Sequence, residues 1–240
     1  MKRILITGAT SGIGLQLAKD YAADGWQVFG CGRRTEALAD IANLTAFSFD
    51  VTDKQALQTA ADTIADASLD MVLLNAGTCE YQQIDQFDGD SFARVINTNL
   101  IAVGYCLQFL LPKLKPGAQL ALTGSAVVHL PFSQAEAYGA SKAAIHYLAQ
   151  SLQRDLHSKN ISVSEIQPGF VDTPLTARNQ FAMPWLMTVE QASQRIRAGI
   201  ANRKAVIAFP WPLLLLLKLV SWLPLRWQLK LLATQPTGEL

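Results

Sequence analysis

Seven short apolar runs, set apart by longer segments with helical spacing, constrain the fold of this chain more than any other feature. The runs span residues 4–6, 27–31, 46–49, 71–74, 119–123, 161–166 and 205–209. Each is too short for a typical helix and several are rich in Val or Ile, so each is predicted to be a strand. Between them, residues 13–23, 54–67, 91–114, 138–158 and 189–202 place apolar side chains at helical intervals. Strand and helix in alternation, with few connections short enough for hairpins, specify parallel strands joined by crossover helices. The expected architecture is α/β, a doubly wound parallel sheet of seven strands covered on both faces by helices.

Composition sets the number of domains and argues against several function classes. Half of the 240 residues are hydrophobic and 16% are charged, enough for one large core and short for two. Residues 1–209 are expected to form that domain, with 210–240 a hydrophobic extension packed on it. Twenty basic against nineteen acidic residues leave a net charge of +1 without a continuous basic patch, which argues against nucleic acid as a partner. Cys31, Cys79 and Cys106 are odd in number and far apart, with no Cys-x-x-Cys pair. They read as buried thiols in a reducing compartment, with neither a disulfide framework nor a metal site expected. Met1-Lys2-Arg3 leads into the first apolar run without the long apolar stretch of a signal peptide, so the expected location is cytoplasmic.

Thr7-Gly8-Ala9-Thr10-Ser11-Gly12-Ile13-Gly14 follows the first strand and opens the first helix. Glycines let the backbone turn tightly and approach an anion, and free N–H groups at the positive end of the helix dipole favour a phosphate. The spacing is Gly-x-x-x-Gly-x-Gly, not the Gly-x-Gly-x-x-Gly of the general dinucleotide fingerprint. At the end of the second strand, where NAD-binding folds carry an acidic residue for the ribose hydroxyls, stands Gly32, followed by Arg33. A guanidinium there suits a 2′-phosphate and points to NADP(H) over NAD(H); the plainer reading of Arg33 and Arg34 is a pair of solvated surface charges.

Tyr138-Gly139-Ala140-Ser141-Lys142 opens a helical segment, and four-residue spacing puts Tyr138 and Lys142 on one face. An ammonium near a phenol is expected to favour the phenolate and lower its pKa. By itself the pair is compatible with an ordinary amphipathic face. Ser125 stands thirteen residues before Tyr138, just past a strand, at the carboxyl edge where doubly wound sheets bind their ligands.

In order and spacing these motifs resemble the short-chain dehydrogenase/reductase family, over roughly residues 2–209. Asp50-Val51 looks like the family's adenine-contacting pair, and Asn75-Ala76-Gly77 like its Asn-Ala-Gly turn. Asn99 in Asn97-Thr98-Asn99-Leu100 is similar to its relay asparagine, and Pro168-Gly169-Phe170-Val171-Asp172-Thr173-Pro174 to its Pro-Gly-x-Val-x-Thr-Pro segment. The resemblance implies a Rossmann sheet and a nicotinamide cofactor. It also implies that Ser125 holds the substrate oxygen, Tyr138 exchanges the proton, Lys142 binds the nicotinamide ribose, and Asn99 supports a relay through water. The implied cofactor contacts are Gly8, Thr10, Ser11, Gly12, Ile13, Gly14, Arg33, Asp50, Val51, Asn75, Ala76 and Gly77, then Tyr138, Lys142, Pro168, Gly169, Val171 and Thr173.

The expected activity is an NADP(H)-dependent oxidoreductase, moving a hydride between nicotinamide and a carbonyl or alcohol carbon. The loop at 175–187, with Phe181, Met183, Trp185, Leu186 and Met187, corresponds to the family's variable substrate loop and points to an apolar substrate; simple packing of the loop on the core accounts for it equally well. His129 is a further side chain near the pocket or a bystander. Helices 91–114 and 138–158 resemble the pair through which family members dimerise, so a homodimer is expected. A rival reading keeps the fold as a catalytically silent nucleotide-binding regulator. Retention of Ser125, Tyr138, Lys142 and Asn99 argues against it.

The tail departs from the family. Residues 210–233 are rich in Leu and Trp, but Lys218, Arg226 and Lys230 interrupt the run and Pro210, Pro212 and Pro224 break it, which rules out a single membrane span. Two short helices, about 213–223 and 225–232, are expected. They suit a peripheral contact with the inner face of a membrane, a hydrophobic rim around the substrate entrance, a subunit interface, or packing on the core.

Overall fold

In the computed structural model, which describes residues 1–179 and 181–232, all seven apolar runs are strands. They are β1 (Arg3–Thr7), β2 (Gln27–Gly32), β3 (Leu44–Ser48), β4 (Leu69–Leu74), β5 (Leu114–Thr123), β6 (Ser162–Pro168) and β7 (Val206–Phe209). The sheet order is β3-β2-β1-β4-β5-β6-β7 and every adjacent pair is parallel. The helices are α1 (Gly12–Ala23), α2 (Lys54–Asp62), α3 (Gly89–Ile96), α4 (Ala102–Leu110), α5 (Glu136–Asp155), α6 (Val189–Ala201), α7 (Trp211–Ser221) and α8 (Leu225–Leu232).

The two-residue period of the strands divides the core into two layers. Leu5, Val72, Leu74, Leu120 and Leu122 face the layer beneath α2, α4 and α5, while Ile4, Ile6, Met71, Leu73 and Ala121 face the layer beneath α1 and α6. Strand order reverses between β1 and β4, so the loops after these strands diverge and leave a crevice at the carboxyl edge.

Two expected helices are shorter than their apolar spacing suggests. α2 stops at Asp62, and the chain turns through Ala67, at φ +47°, to enter β4. The segment predicted as one helix over 91–114 is α3, a π-turn at Asn97–Ile101 and α4. Pro112 supplies no N–H to prolong α4, and Leu114 already pairs with Leu69 in the sheet, so β5 starts five residues earlier than predicted. Gly89–Lys113 is long and apolar enough to cross a membrane by length alone. Its α4 portion, however, buries Ala102, Val103, Cys106 and Leu110 in the core.

The two tail helices form close to their expected limits. α7 seats Leu213, Leu214 and Leu217 on Ala126, Leu130 and Phe170, and α8 continues along the surface. Residues 233–240 of the expected extension, and Gln180 of the apolar loop, lie outside the described residues.

Candidate active site

A cavity of about 580 Å³ opens at the crevice. Its nucleotide end is built by the β1–α1 turn. Gly8 and Gly12 adopt φ +65° and +51°, and a Cβ on Gly14 would stand 2.1 Å from the Gly8 carbonyl oxygen, so three glycines are required for this loop to close on itself. Ser11 precedes α1 without capping it through its side chain, and the first turn of α1 holds no acidic residue. Side chains cap three other helices: Asp53 on α2, Asp88 on α3 and Thr188 on α6. The uncapped N-terminus of α1 therefore presents its N–H groups and dipole to the cavity, which fits a pyrophosphate. Thr7 Oγ1 accepts from the N–H groups of Asn75 (3.0 Å) and Ala76 (3.1 Å), pinning the β4 turn to the β1 turn across the switch point.

At the rim, a Cβ on Gly32 would lie 2.5 Å from Thr10 Cγ2 and 2.7 Å from its Oγ1. Thr10 thus fills the space an acidic residue would need. Arg33 stands well exposed beside it, with only a loose 3.8 Å approach to Asp50. Of the expected cofactor contacts, Gly8, Thr10, Ser11, Gly12, Ile13, Arg33, Asp50, Val51, Asn75, Ala76, Gly77, Pro168, Gly169, Val171 and Thr173 all line the cavity. Gly14 lies just behind it.

Tyr138 and Lys142 close the inner end, one turn apart on α5. Lys142 donates to the Thr123 carbonyl at 2.8 Å, and its Nζ lies 5.6 Å from the centre of the Tyr138 ring. Burial pulls the Lys142 amine down to about 8, with Glu165 among the groups acting the other way. Burial also pushes the Tyr138 phenol up to about 12, and the adjacent Ser125 only partly opposes this. The expected lowering of the phenol by Lys142 is therefore not what this pocket produces: desolvation outweighs the opposing effect of Ser125, and the Lys142 hydrogen bond goes to a backbone carbonyl. Ser125 caps the short turn Ala126–His129, its Oγ accepting from the Val127 N–H at 3.2 Å.

Asn99 is buried behind this floor. Its Oδ1 accepts from the Thr78 N–H (2.8 Å), and its Nδ2 donates to the Thr78 carbonyl (2.9 Å) and to Ser141 Oγ (3.0 Å). Ser141 in turn donates to the Tyr138 carbonyl at 2.7 Å. The π-turn is what points Asn99 inward, joining the 75–78 turn to the first turn of α5. Gly77 lies between: a Cβ there would meet Asn99 Oδ1 at 3.3 Å and Lys142 Nζ at 3.6 Å.

Three features escaped the sequence reading. Cys79 is only partly buried, unlike Cys31 and Cys106, because it sits in the loop after Gly77; burial pushes its thiol up to about 11 while Lys142 pulls it down. Tyr81, Phe181 and Phe170 meet ring to ring, with centroids 6.1 and 5.9 Å apart, and Tyr81 donates to Asn179 Oδ1 at 2.6 Å. These rings connect the apolar loop to the segment beside Tyr138. Glu165 on β6 is fully buried, its Oε2 2.7 Å from His146 Nδ1 and its Oε1 without a partner, 2.6 Å from where a Gly124 Cβ would stand. An acidic residue inside an apolar strand run was the signal for it. His129 is absent from the cavity lining and turns towards Gln167 and Lys218.

Fold and cavity together define a dinucleotide-binding α/β protein. The family model for short chain dehydrogenase matches residues 2–183. The chain is 33% identical over 232 residues to an uncharacterized oxidoreductase of Myxococcus xanthus, covering 92% of each chain, and 32% identical over 185 residues to a serine 3-dehydrogenase of Agrobacterium fabrum, covering 72% of this chain and 73% of that one. A short chain dehydrogenase from Burkholderia cenocepacia, solved in complex with NADP, superposes with a TM-score of 0.77 at 27% identity, covering 86% of this chain and 94% of that one. The chain belongs to the short chain dehydrogenase family, oxidoreductases that act on alcohol or carbonyl groups with a nicotinamide cofactor.

Proposed function

We propose that this protein reduces an apolar carbonyl substrate with NADPH, Tyr138 delivering the proton to the carbonyl oxygen. The observation that carries the reading is the placing of Tyr138 and Lys142 at the inner end of a cavity whose outer end fits a dinucleotide, with Ser125 adjacent to the Tyr138 phenol just behind the lining. When bound, the nicotinamide supplies the hydride for reduction and accepts it for oxidation. Gly8, Thr10, Ser11, Gly12, Ile13 and Gly14 would hold the pyrophosphate, and Asp50 and Val51 the adenine. Asn75, Ala76, Gly77, Pro168, Gly169, Val171 and Thr173 would flank the nicotinamide half, with Tyr138 and Lys142 against its ribose. Arg33, exposed and loosely paired, would bind the 2′-phosphate through charge-assisted hydrogen bonds, while Thr10 occupies the place of a ribose-binding acid.

Tyr138 is a phenol at neutral pH and burial raises its pKa further, so it is poised as an acid, which favours carbonyl reduction. Ser125 hydrogen-bonds the substrate oxygen and stabilises the charge that builds there. Lys142 stays an ammonium at neutral pH and supports proton delivery from the phenol. Asn99 acts as a positioning residue: its side-chain atoms are engaged by Thr78 and Ser141, fixing the turn that carries Tyr138. The rings of Tyr81, Phe170 and Phe181 favour an apolar substrate. The enzyme is read as cytoplasmic and as a homodimer through the surfaces of α4 and α5, where Tyr147 is 75% exposed.

Fluorescence titration with NADPH and NADH, followed by turnover on a panel of aliphatic aldehydes and ketones, tests this directly. NADPH should bind at least about tenfold tighter than NADH. Tyr138→Phe should lower turnover about 10²- to 10⁴-fold with NADPH affinity nearly unchanged, since only the proton donor is lost. An active Tyr138→Phe enzyme would falsify the assigned mechanism.

A further inference from the structure

We propose that α7 and α8 form a docking surface that seats the protein on an anionic lipid membrane. The buried face of α7 is used up by Leu213, Leu214 and Leu217, and its outward face presents Trp211, Leu215, Leu216 and Leu219, ending at Trp222. Trp222 is 81% exposed and Trp211 72%, in a position where core packing does not hold them. α8 adds exposed Leu225, Trp227 and Leu229, and Gln228 ties it back to α7, donating to the carbonyls of Ser221 and Leu223.

Cations are interleaved with these side chains. Lys218 lies on the outward face of α7 between Trp211 and Trp222, and Arg226 and Lys230 share one side of α8 at four-residue spacing. No acidic residue occurs between Trp211 and Leu232. Short helices of leucine, tryptophan and basic residues suit the boundary between headgroups and acyl chains, where rings and leucines sink and cations meet phosphate. A second copy of the chain suits the patch less well. A two-fold contact brings the same patch against itself, so three cations would meet three cations with no carboxylate to pair them. An anionic surface satisfies both the apolar and the basic side chains. At eleven residues α7 is too short to span a bilayer, so the protein would lie on it.

The seat adjoins the reacting centre. α7 packs on the turn that follows Ser125 and on Phe170, whose ring meets Phe181 at the apolar loop. Docking would therefore turn that loop towards the lipid. Binding to the membrane stands independently of the reductase reading and is measured without turnover.

The test is flotation of the purified protein with vesicles of phosphatidylcholine alone and with about 30% phosphatidylglycerol, a composition that supplies anionic headgroups. Anionic vesicles should carry the protein and shift its tryptophan emission to the blue, and neutral ones should not. The triple variant Lys218→Gln, Arg226→Gln, Lys230→Gln should partition on the order of a hundredfold less, at about a fivefold factor for each of three cations near the surface. All three side chains are exposed, and an unchanged melting temperature confirms that the variant is folded. Trp222→Ser should weaken binding without changing the oligomer. Equal binding to neutral vesicles, binding to neither, or a dimer that Trp222→Ser disperses would each overturn the proposal, the last by assigning the patch to a second copy.

Discussion

Burial acts on Tyr138 and Lys142 in opposite directions and drives their titrations apart. The phenol is pushed up to about 12 and the amine pulled down to about 8, since desolvation by burial disfavours whichever form is charged. Both are protonated at neutral pH, and the first proton lost as pH rises is that of Lys142. The kcat/KM for carbonyl reduction should therefore be level through neutrality and fall as pH passes about 8. Glu165 favours the ammonium, so Glu165→Gln should move the fall to lower pH; an unmoved pH profile would show that its carboxylate does not act on Lys142. Arg33 is the corresponding residue at the rim. Losing a charge-assisted contact of about 1.5–3 kcal/mol, Arg33→Ala should weaken NADPH about 10- to 100-fold and leave NADH nearly unchanged, as read by titration.

At the scale of elements, function shows where a helix departs from its regular form. α2, α3 and α6 close their N-termini with Asp53, Asp88 and Thr188; α1, like α5 and α7, has no side-chain cap, and its open N-terminus faces the cavity. The glycine turn is as tight as this arrangement requires. Alanine is the better helix former by about 1 kcal/mol, yet Gly14→Ala should destabilise the protein by about 1–3 kcal/mol and sharply weaken dinucleotide binding. Its Cβ would fall 2.1 Å from a backbone oxygen, which no side-chain rotation relieves. Thermal unfolding and the same titration check both effects. The π-turn is a second departure: one extra residue in that turn rotates Asn99 into the core, where Thr78 and Ser141 engage it.

Across the whole molecule, the tail is joined to the reacting centre through packing. Leu213, Leu214 and Leu217 cover Ala126, Leu130 and Phe170, on either side of the cavity floor. Each buried leucine is worth about 1.5–3 kcal/mol, so a chain ended at Pro210 should lose several kcal/mol in thermal or urea unfolding. Turnover should fall further than cofactor affinity, because the loosened turn carries Ser125 while the glycine loop follows β1, two strands away from β5. Equal loss of both would mean that the tail supports the whole sheet and not the Ser125 turn.

The sequence by itself determined the strand count, the parallel order and the glycine turn, because these depend on two-residue and helical periodicities and on backbone freedom that single residues encode. Ser125, Tyr138 and Lys142 were legible because spacing along the chain places them near one edge of such a sheet. Only the tertiary structure decided what depends on neighbours remote in the chain. Pro112 and the Leu69–Leu114 pairing turned an expected helix end into β5, and desolvation reversed the expected shift of Tyr138. The same holds for Glu165, drawn under Gly124 from another strand, and for Cys79, left half-open in the loop after Gly77. Packing and desolvation are sums over such neighbours, and periodicity along the chain does not record them.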